Sequence, residues 1–188
     1  MAELGRKEKT NAKQGPKPRL GDLLENIIPD KELRNLVDAM RDSEDETPPH
    51  NRDQAFWAKA RELVEMGANP DIRDTGFDTL LTNAAKDGET EMCRFLLENG
   101  AKADLREDAG RTALMNAAWH NHPETCRILL ENGANLWASH KAWGTAVDHA
   151  RTSNSMDAYY LLWVWTLKDS MGLESAKDFV EAFRECLG

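Results

Sequence analysis

A 33-residue internal repeat constrains this 188-residue chain more than any other feature. Three Gly-Ala dipeptides recur at this spacing, beginning at Gly67, Gly100 and Gly133. Residues 67–99 and 100–132 are identical at 16 of 33 positions, where ordinary composition would give roughly two by chance. Residues 133–165 match the second unit at only 8 positions, and terminal repeats of an array often diverge in this way. The chain is therefore predicted to stack three similar units.

Each unit carries the signals of a turn followed by two helices. The turn leads to a threonine that can cap a helix by accepting a backbone N–H hydrogen bond, at Thr79, Thr112 and Thr145. A short helix with small residues follows, and a break then precedes a second helix with one apolar stripe. The next glycine ends that helix, because glycine readily takes the left-handed conformation. The pattern predicts an all-α chain of helix-turn-helix units.

This plan resembles the ankyrin repeat family, whose units hold a turn and two antiparallel helices. The resemblance covers residues 55–166 and rests on Thr-x-Leu motifs, paired alanines and Leu-Leu-Glu-Asn-Gly-Ala runs, at Thr79/Leu81, Thr112/Leu114, Ala84-Ala85, Ala117-Ala118, 96–101 and 129–134. It implies an all-α ankyrin-repeat solenoid with short hairpin-like turns, flanked by N- and C-terminal capping helices. The family's Thr-Pro-Leu-His is altered, because Thr82, Met115 and Asp148 replace its histidine. We therefore expect a hydrogen-bonding link to be lost.

The flanks of the repeats divide into further segments. In chain order we predict a disordered basic tail, N-terminal helices, an acidic linker, the ankyrin array and a C-terminal capping helix, at 1–19, 20–42, 43–52, 53–166 and 167–188. The array includes a degenerate leading helix at 53–66. Caps are needed because the end repeats have no neighbour to cover their apolar faces. Residues 20–42 either pack on the first repeat as a cap or dock on it reversibly, and the sequence leaves both open.

Charge and hydropathy exclude several classes of function. The formal net charge is −9, and residues 1–20 carry six basic and two acidic residues, which leaves about −13 on the rest of the chain. A body this acidic repels phosphate backbones, so nucleic acid is not expected as the main partner. Neither a run of about 18 apolar residues nor a secretory signal occurs. We expect a cytoplasmic monomer, without a membrane partner, that binds a protein with a basic or neutral surface.

Residues that could perform chemistry have structural explanations. Cys93 and Cys126 occupy the same buried position of consecutive repeats, where cysteine acts as a small apolar residue. A metal site is conceivable at four histidines, His120, His122, His140 and His149, but no cysteine is placed to complete a tetrahedral set. In the ankyrin family, moreover, the position of His122 belongs to a structural histidine. Motifs of nucleotide binding and hydrolysis are absent, so we predict no enzymatic activity and no cofactor.

The candidate binding surface follows from the repeat register. In the ankyrin family the turn tips and the exposed side of the first helices contact partners, and binding hot spots favour Trp, Tyr and Arg. Three aromatic residues and an arginine are therefore expected along the concave strip, unless an aromatic ring folds inward. The full set of predicted partner-binding residues is Phe77, Asp78, Lys86, Asp87, Asp108, Arg111, Trp119, His120, Lys141 and Trp143. Trp163 and Trp165 are expected to face the C-terminal cap instead.

Two functions are compatible with these observations. The first is a non-catalytic protein-protein interaction module that acts as an adaptor, inhibitor or immunity-type protein. The alternative is a regulatory or chaperone-like scaffold that acts through the N-terminal helices, with the repeats supplying only shape.

Overall fold

The computed structural model of the chain describes residues 30–38, 54–73 and 77–172. The predictions for the basic tail, the acidic linker and the segment after Gly172 lie outside these residues, as does most of 20–42. The described residues form eight helices and no strand longer than an isolated bridge. We number them α1 (30–38), α2 (Gln54–Glu65), α3 (Leu80–Asp87), α4 (Thr90–Glu98), α5 (Ala113–Trp119), α6 (Pro123–Glu131), α7 (Ala146–Thr152) and α8 (Met156–Met171).

The helices form pairs that stack along one direction. Helices α3 and α4, α5 and α6, and α7 and α8 each make one unit. The first helices α3, α5 and α7 pack in one row, and α2, α4, α6 and α8 pack in a second row. The predicted helix-turn-helix units are thus confirmed. Helix α2 lies within 53–66, where the leading helix was predicted, and extends the second row.

The family's Thr-Pro-Leu-His is altered in this chain, so we expected the hydrogen-bonding link of its histidine to be lost. Other hydrogen bonds form at the helix starts in its place. Thr79 Oγ1 accepts from the Thr82 N–H at 3.2 Å, and Thr82 Oγ1 accepts from the Thr79 N–H at 2.8 Å. Thr112 accepts from the N–H three residues on, at 3.4 Å. In the third unit the roles are reversed, because Asp148 accepts from the N–H and hydroxyl of Thr145, at 2.9 and 3.0 Å. Two of the three substitutions therefore restore a capping contact.

Aspartates link the turns of successive units in a regular ladder. Each Oδ1 accepts a backbone N–H from the following turn, from Lys102 to Asp71 at 2.9 Å and from Asn135 to Asp104 at 2.9 Å. At the N-terminal end the same bond comes from α1, where Asp30 Oδ1 accepts the Asn69 N–H at 2.7 Å. Helix α1 thus supplies the carboxylate that a preceding repeat would have supplied.

The apolar side of α1 belongs to the main core. Leu33 and Val37, one helical turn apart, have no exposed surface and pack in the same cluster as Leu63 of α2. Burying each of these two side chains stabilises the folded state by roughly 1.5–3 kcal/mol.

The C-terminal end differs from the sequence prediction. Helix α8 continues to Met171, so the boundary drawn between 166 and 167 lies inside it. The reason is that no helix-breaking residue occurs before Gly172, whose φ of +64° ends the helix in the left-handed conformation. Trp165 is half-buried and Trp163 is 43% exposed. The C-terminal cap that both were predicted to face lies outside the described residues.

Candidate functional site

An aromatic cluster joins the second and third units on the first-helix face, which we define as α3, α5, α7 and the turns before them. Trp119 ends α5, His140 and Trp143 lie in the next turn, and His149 belongs to α7. The ring centroids of Trp119 and Trp143 are 5.0 Å apart, and those of Trp143 and His149 are 5.9 Å apart and nearly parallel. These distances are typical of favourable aromatic pairs.

Backbone contacts hold the cluster in place. His140 pairs with Gly144 across the turn, through N–H to oxygen distances of 2.7 and 3.1 Å. The His140 ring accepts the Ala142 N–H at Nδ1, so its Nε2–H donates to the Ala109 oxygen of the preceding turn at 2.7 Å. The Ser155 hydroxyl donates to the Trp119 oxygen at 2.7 Å and fixes the end of α5. The turn of the third unit is therefore anchored on the second.

His149 forms the floor of the cluster. Its side chain has no exposed surface, and neither ring nitrogen has a hydrogen-bond partner among the described residues. Burial lowers the pKa of His149 first, and the neighbouring His140 and Arg111 lower it further, against the opposite influence of Asp148 and Glu107. The ring is therefore neutral in the folded protein near pH 7, and protonating it requires the cluster to open.

The stability of the fold is expected to fall in mild acid because of His149. An unfolded histidine has a pKa near 6.5, and the pKa of His149 in the folded protein is lower. The contribution of the neutral His149 ring to the free energy of unfolding is therefore complete above about pH 6.5 and is lost as the pH falls below it. At about pH 5.5 the protonation of His149 lowers the free energy of unfolding by at most about 1.4 kcal/mol. Urea unfolding at about pH 7.5 and 5.5 should show a larger loss in the wild type than in His149→Phe. Equal losses in the two proteins would contradict the assignment.

An open groove of about 500 Å³ lies beside the cluster. Trp143, which is 48% exposed, forms one wall, and Asp148, Arg151 and Thr152 of α7 form the other. The Arg151 Nη2 lies 3.4 Å from Asp148 Oδ1. The N–H of Thr145 holds the pKa of the Asp148 carboxyl below its usual value, so the groove contains a paired anion and cation next to an exposed indole.

The comparison with protein families covers the array up to His140 and therefore only part of the cluster. Residues 56–140 match the family model described as ankyrin repeats in three copies. Residues 56–140 of this chain are therefore ankyrin repeats. A search of curated proteins found no match. Ankyrin repeats are generally protein-protein interaction modules and are typically non-catalytic.

The ankyrin register brings some of the predicted site residues together and separates others. Trp119 and Trp143 meet in the cluster, and the His120 ring stacks on His122 at 6.4 Å. Asp108 and Lys141 are exposed in the turns, whereas Asp78, Lys86, Asp87 and His120 are half-buried. Phe77 stands apart from the cluster, because its ring contacts no other aromatic ring among the described residues.

Arg111 performs a structural task in the ankyrin turn. Its Nε forms an ion pair with Glu107, whose other oxygen accepts the Asn116 Nδ2–H at 3.1 Å. Glu107 is buried and Arg111 is half-buried. The guanidinium that sequence analysis placed in the binding strip is therefore engaged within the second unit.

Sequence analysis did not place His140 or His149 in the site. The signal for His149 was available in the repeat register, because it stands 33 residues after Asn116 and 66 after Asn83, and both asparagines are buried. Among the described residues, no group of three or more His, Cys, Asp or Glu could hold a metal ion.

The cysteines lie where the ankyrin register predicted. Cys93 and Cys126 are buried. Burial raises the pKa of the Cys126 thiol to about 12 and raises that of Cys93 as well. Both are therefore protonated thiols within the core.

Among the described residues, no helix has the length and apolarity needed to cross a membrane.

Proposed function

We propose that the protein binds another protein through the first-helix face of its third repeat, and that it does so without catalysis. The observation that carries this proposal is the half-exposed Trp143, which packs on Trp119 above a buried His149 and borders a groove of about 500 Å³. Tryptophans held rigidly at a concave site are typical anchors of protein interfaces. Adaptor, inhibitor and immunity-type roles all use such a surface.

The conformation of Phe77 supports a second contact point on the same face. Its φ is +63°, a left-handed conformation that costs a bulky residue roughly 1–2 kcal/mol. The corresponding residue of the second repeat is Gly110, with φ of +82°. The strained residue nevertheless leaves its ring 56% exposed. A large apolar side chain kept at a strained and exposed position favours a role in recognition.

The charge of the face bears on the kind of partner. Beside Trp143, Asp148 is paired with Arg151, and Glu107 is paired with Arg111, whereas Asp108 and Lys141 are exposed in the turns. The surface next to the exposed indole therefore offers a partner mainly apolar contact. The rest of the chain after residue 20 carries about −13. We therefore propose a partner that inserts an apolar side chain beside Trp143 and has a neutral or basic surface around it.

A scaffold acting through the N-terminal helices is the alternative. The burial of Leu33 and Val37 in the core of the array weighs against it for residues 30–38. A helix whose apolar side is already buried in the core has little apolar surface left for a second partner. Binding retained by residues 1–46 alone would favour this alternative.

Replacing both tryptophans, Trp119→Ala and Trp143→Ala, is expected to abolish partner binding because the anchor surface is removed. The partner is first identified by affinity purification from the native cell, and binding is then measured by calorimetry. We expect an affinity loss of at least roughly 100-fold, since hot-spot residues each contribute about 2 kcal/mol or more.

The matched control is Trp137→Ala, a tryptophan of similar exposure that does not line the groove and whose Nε1–H donates to Asp169 of α8 at 2.8 Å. It should leave affinity unchanged. The helical circular dichroism of all variants must match the wild type. If the double variant binds as well as the wild type, or if Trp137→Ala weakens binding equally, the proposed face is wrong.

A further inference from the structure

Helix α8 presents an apolar stripe away from the core. Met156, Tyr160 and Trp163 are spaced four and three residues apart, so they share one face of the helix. They are 46%, 61% and 43% exposed, whereas Ala158 and Leu162 on the opposite face are fully buried. A helix that is apolar on all sides is normally covered on all sides.

The two preceding second helices show that this stripe is particular to α8. The residue equivalent to Tyr160 in α6 is Arg127, which forms an ion pair with Glu124. In α4 it is Arg94, which lies 3.6 Å from Glu91. Tyrosine thus replaces a half-buried, paired arginine. The residue equivalent to Trp163 is Leu130, which is only 8% exposed because the next repeat covers it.

The chain beyond α8 has the pattern and the length to cover the stripe. In the sequence of 176–187, the residues Phe179, Val180, Phe183 and Leu187 recur on one side of a helix and charged residues occupy the other. Twelve helical residues extend about 18 Å, which is enough to span the stripe from Met156 to Trp163, since that stripe extends about 11 Å at the same rise. Only residues 173–175 separate Gly172 from this segment, and so short a connection favours antiparallel neighbours.

We propose that residues 176–187 of the same chain dock antiparallel on the stripe formed by Met156, Tyr160 and Trp163. The apolar residues of the segment cover the two aromatic rings, and its charged side faces solvent. The stripe is thus an internal docking surface, separate from the first-helix face that carries the proposed partner site. The polar surface that ends the array then comes from the docked segment.

The test introduces Phe179→Asp and Phe183→Asp together in the full chain. Hydrogen exchange measured by mass spectrometry should rise roughly tenfold or more in peptides covering 156–167. Peptides of α4 and α6 should be unchanged, which shows that the rest of the array stays folded. The control is Glu181→Ala with Glu185→Ala on the charged side of the segment, and we expect it to exchange like the wild type.

A second measurement covers the case in which the aspartate variant fails to fold. A nitroxide attached to Cys186, with Cys93 and Cys126 protected by burial, should broaden the NMR signals of Tyr160 and Trp163 but not those of Trp119. Unchanged exchange in the variant, or no broadening, would overturn the proposal. Broadening that disappears on dilution, with a dimeric mass, would assign the stripe to a second copy of the chain and would equally overturn it.

Discussion

Leu33→Ala is expected to lower the free energy of unfolding by about 2–5 kcal/mol, the range for deleting a fully buried leucine side chain from a core. Leu33 has no exposed surface and packs in the main cluster of the array. Asp30 of the same helix also caps the Asn69 N–H. We therefore propose that residues 30–38 form part of the N-terminal cap. Urea unfolding followed by far-UV circular dichroism measures the change.

The matched control is Asn35→Ala in the same helix, because Asn35 is exposed. Exposed substitutions of this kind change stability by no more than about 0.5 kcal/mol. The competing view is that the helix docks reversibly. In that case Leu33→Ala would leave the unfolding midpoint in place and would raise partner affinity by freeing the array, and this result would refute the cap.

Gly88→Ala is the second large effect that we expect. Gly88 has φ of +77°, and alanine in that conformation costs roughly 1–2 kcal/mol. A Cβ at Gly88 would also lie 2.5 Å from Nδ1 of His122 in the next repeat. The imidazole cannot move away freely, because its Nε2 is bonded to the Lys86 oxygen at 3.1 Å. The clash should add about 1–3 kcal/mol, as overpacking does.

Gly100→Ala separates the two contributions to the Gly88 effect. Gly100 has φ of +89°, but a Cβ there would meet no atom within 4 Å. Gly100→Ala should therefore lower the free energy of unfolding only by the backbone cost of roughly 1–2 kcal/mol. A double-mutant cycle with His122→Ala completes the test, since the cost of Gly88→Ala should then fall to that of Gly100→Ala. A cost of Gly88→Ala that does not depend on His122 would contradict the assignment.

The sequence was sufficient for the repeat register and for what depends on it alone. Threonine caps, glycine ends and the buried cysteines follow from side-chain chemistry repeated every 33 residues. The boundary drawn between 166 and 167 followed the repeat period and falls inside α8. What ends a helix is a breaking residue, and the first one after that point is Gly172.

The candidate site was only partly predictable. The repeat register predicted Trp119 and Trp143 on one strip of the array, and their ring centroids lie 5.0 Å apart. Their stacking on each other and on His149 joins two units and depends on the turn held by His140. Pairing of Arg111 with Glu107 was likewise missed, because the register says which side of a unit a residue occupies but not which charge it meets.

The sequence by itself determined that this chain is an ankyrin array, because a period of 33 residues with caps and small residues at set positions permits few other folds. Only the tertiary structure decided which contacts form at the two ends of the array and which residues meet in the aromatic cluster. Asp30 takes the place of a repeat aspartate at one end, and at the other end the described residues leave the stripe of α8 uncovered. Both depend on contacts between residues far apart in the chain, and such contacts arise only when the units stack.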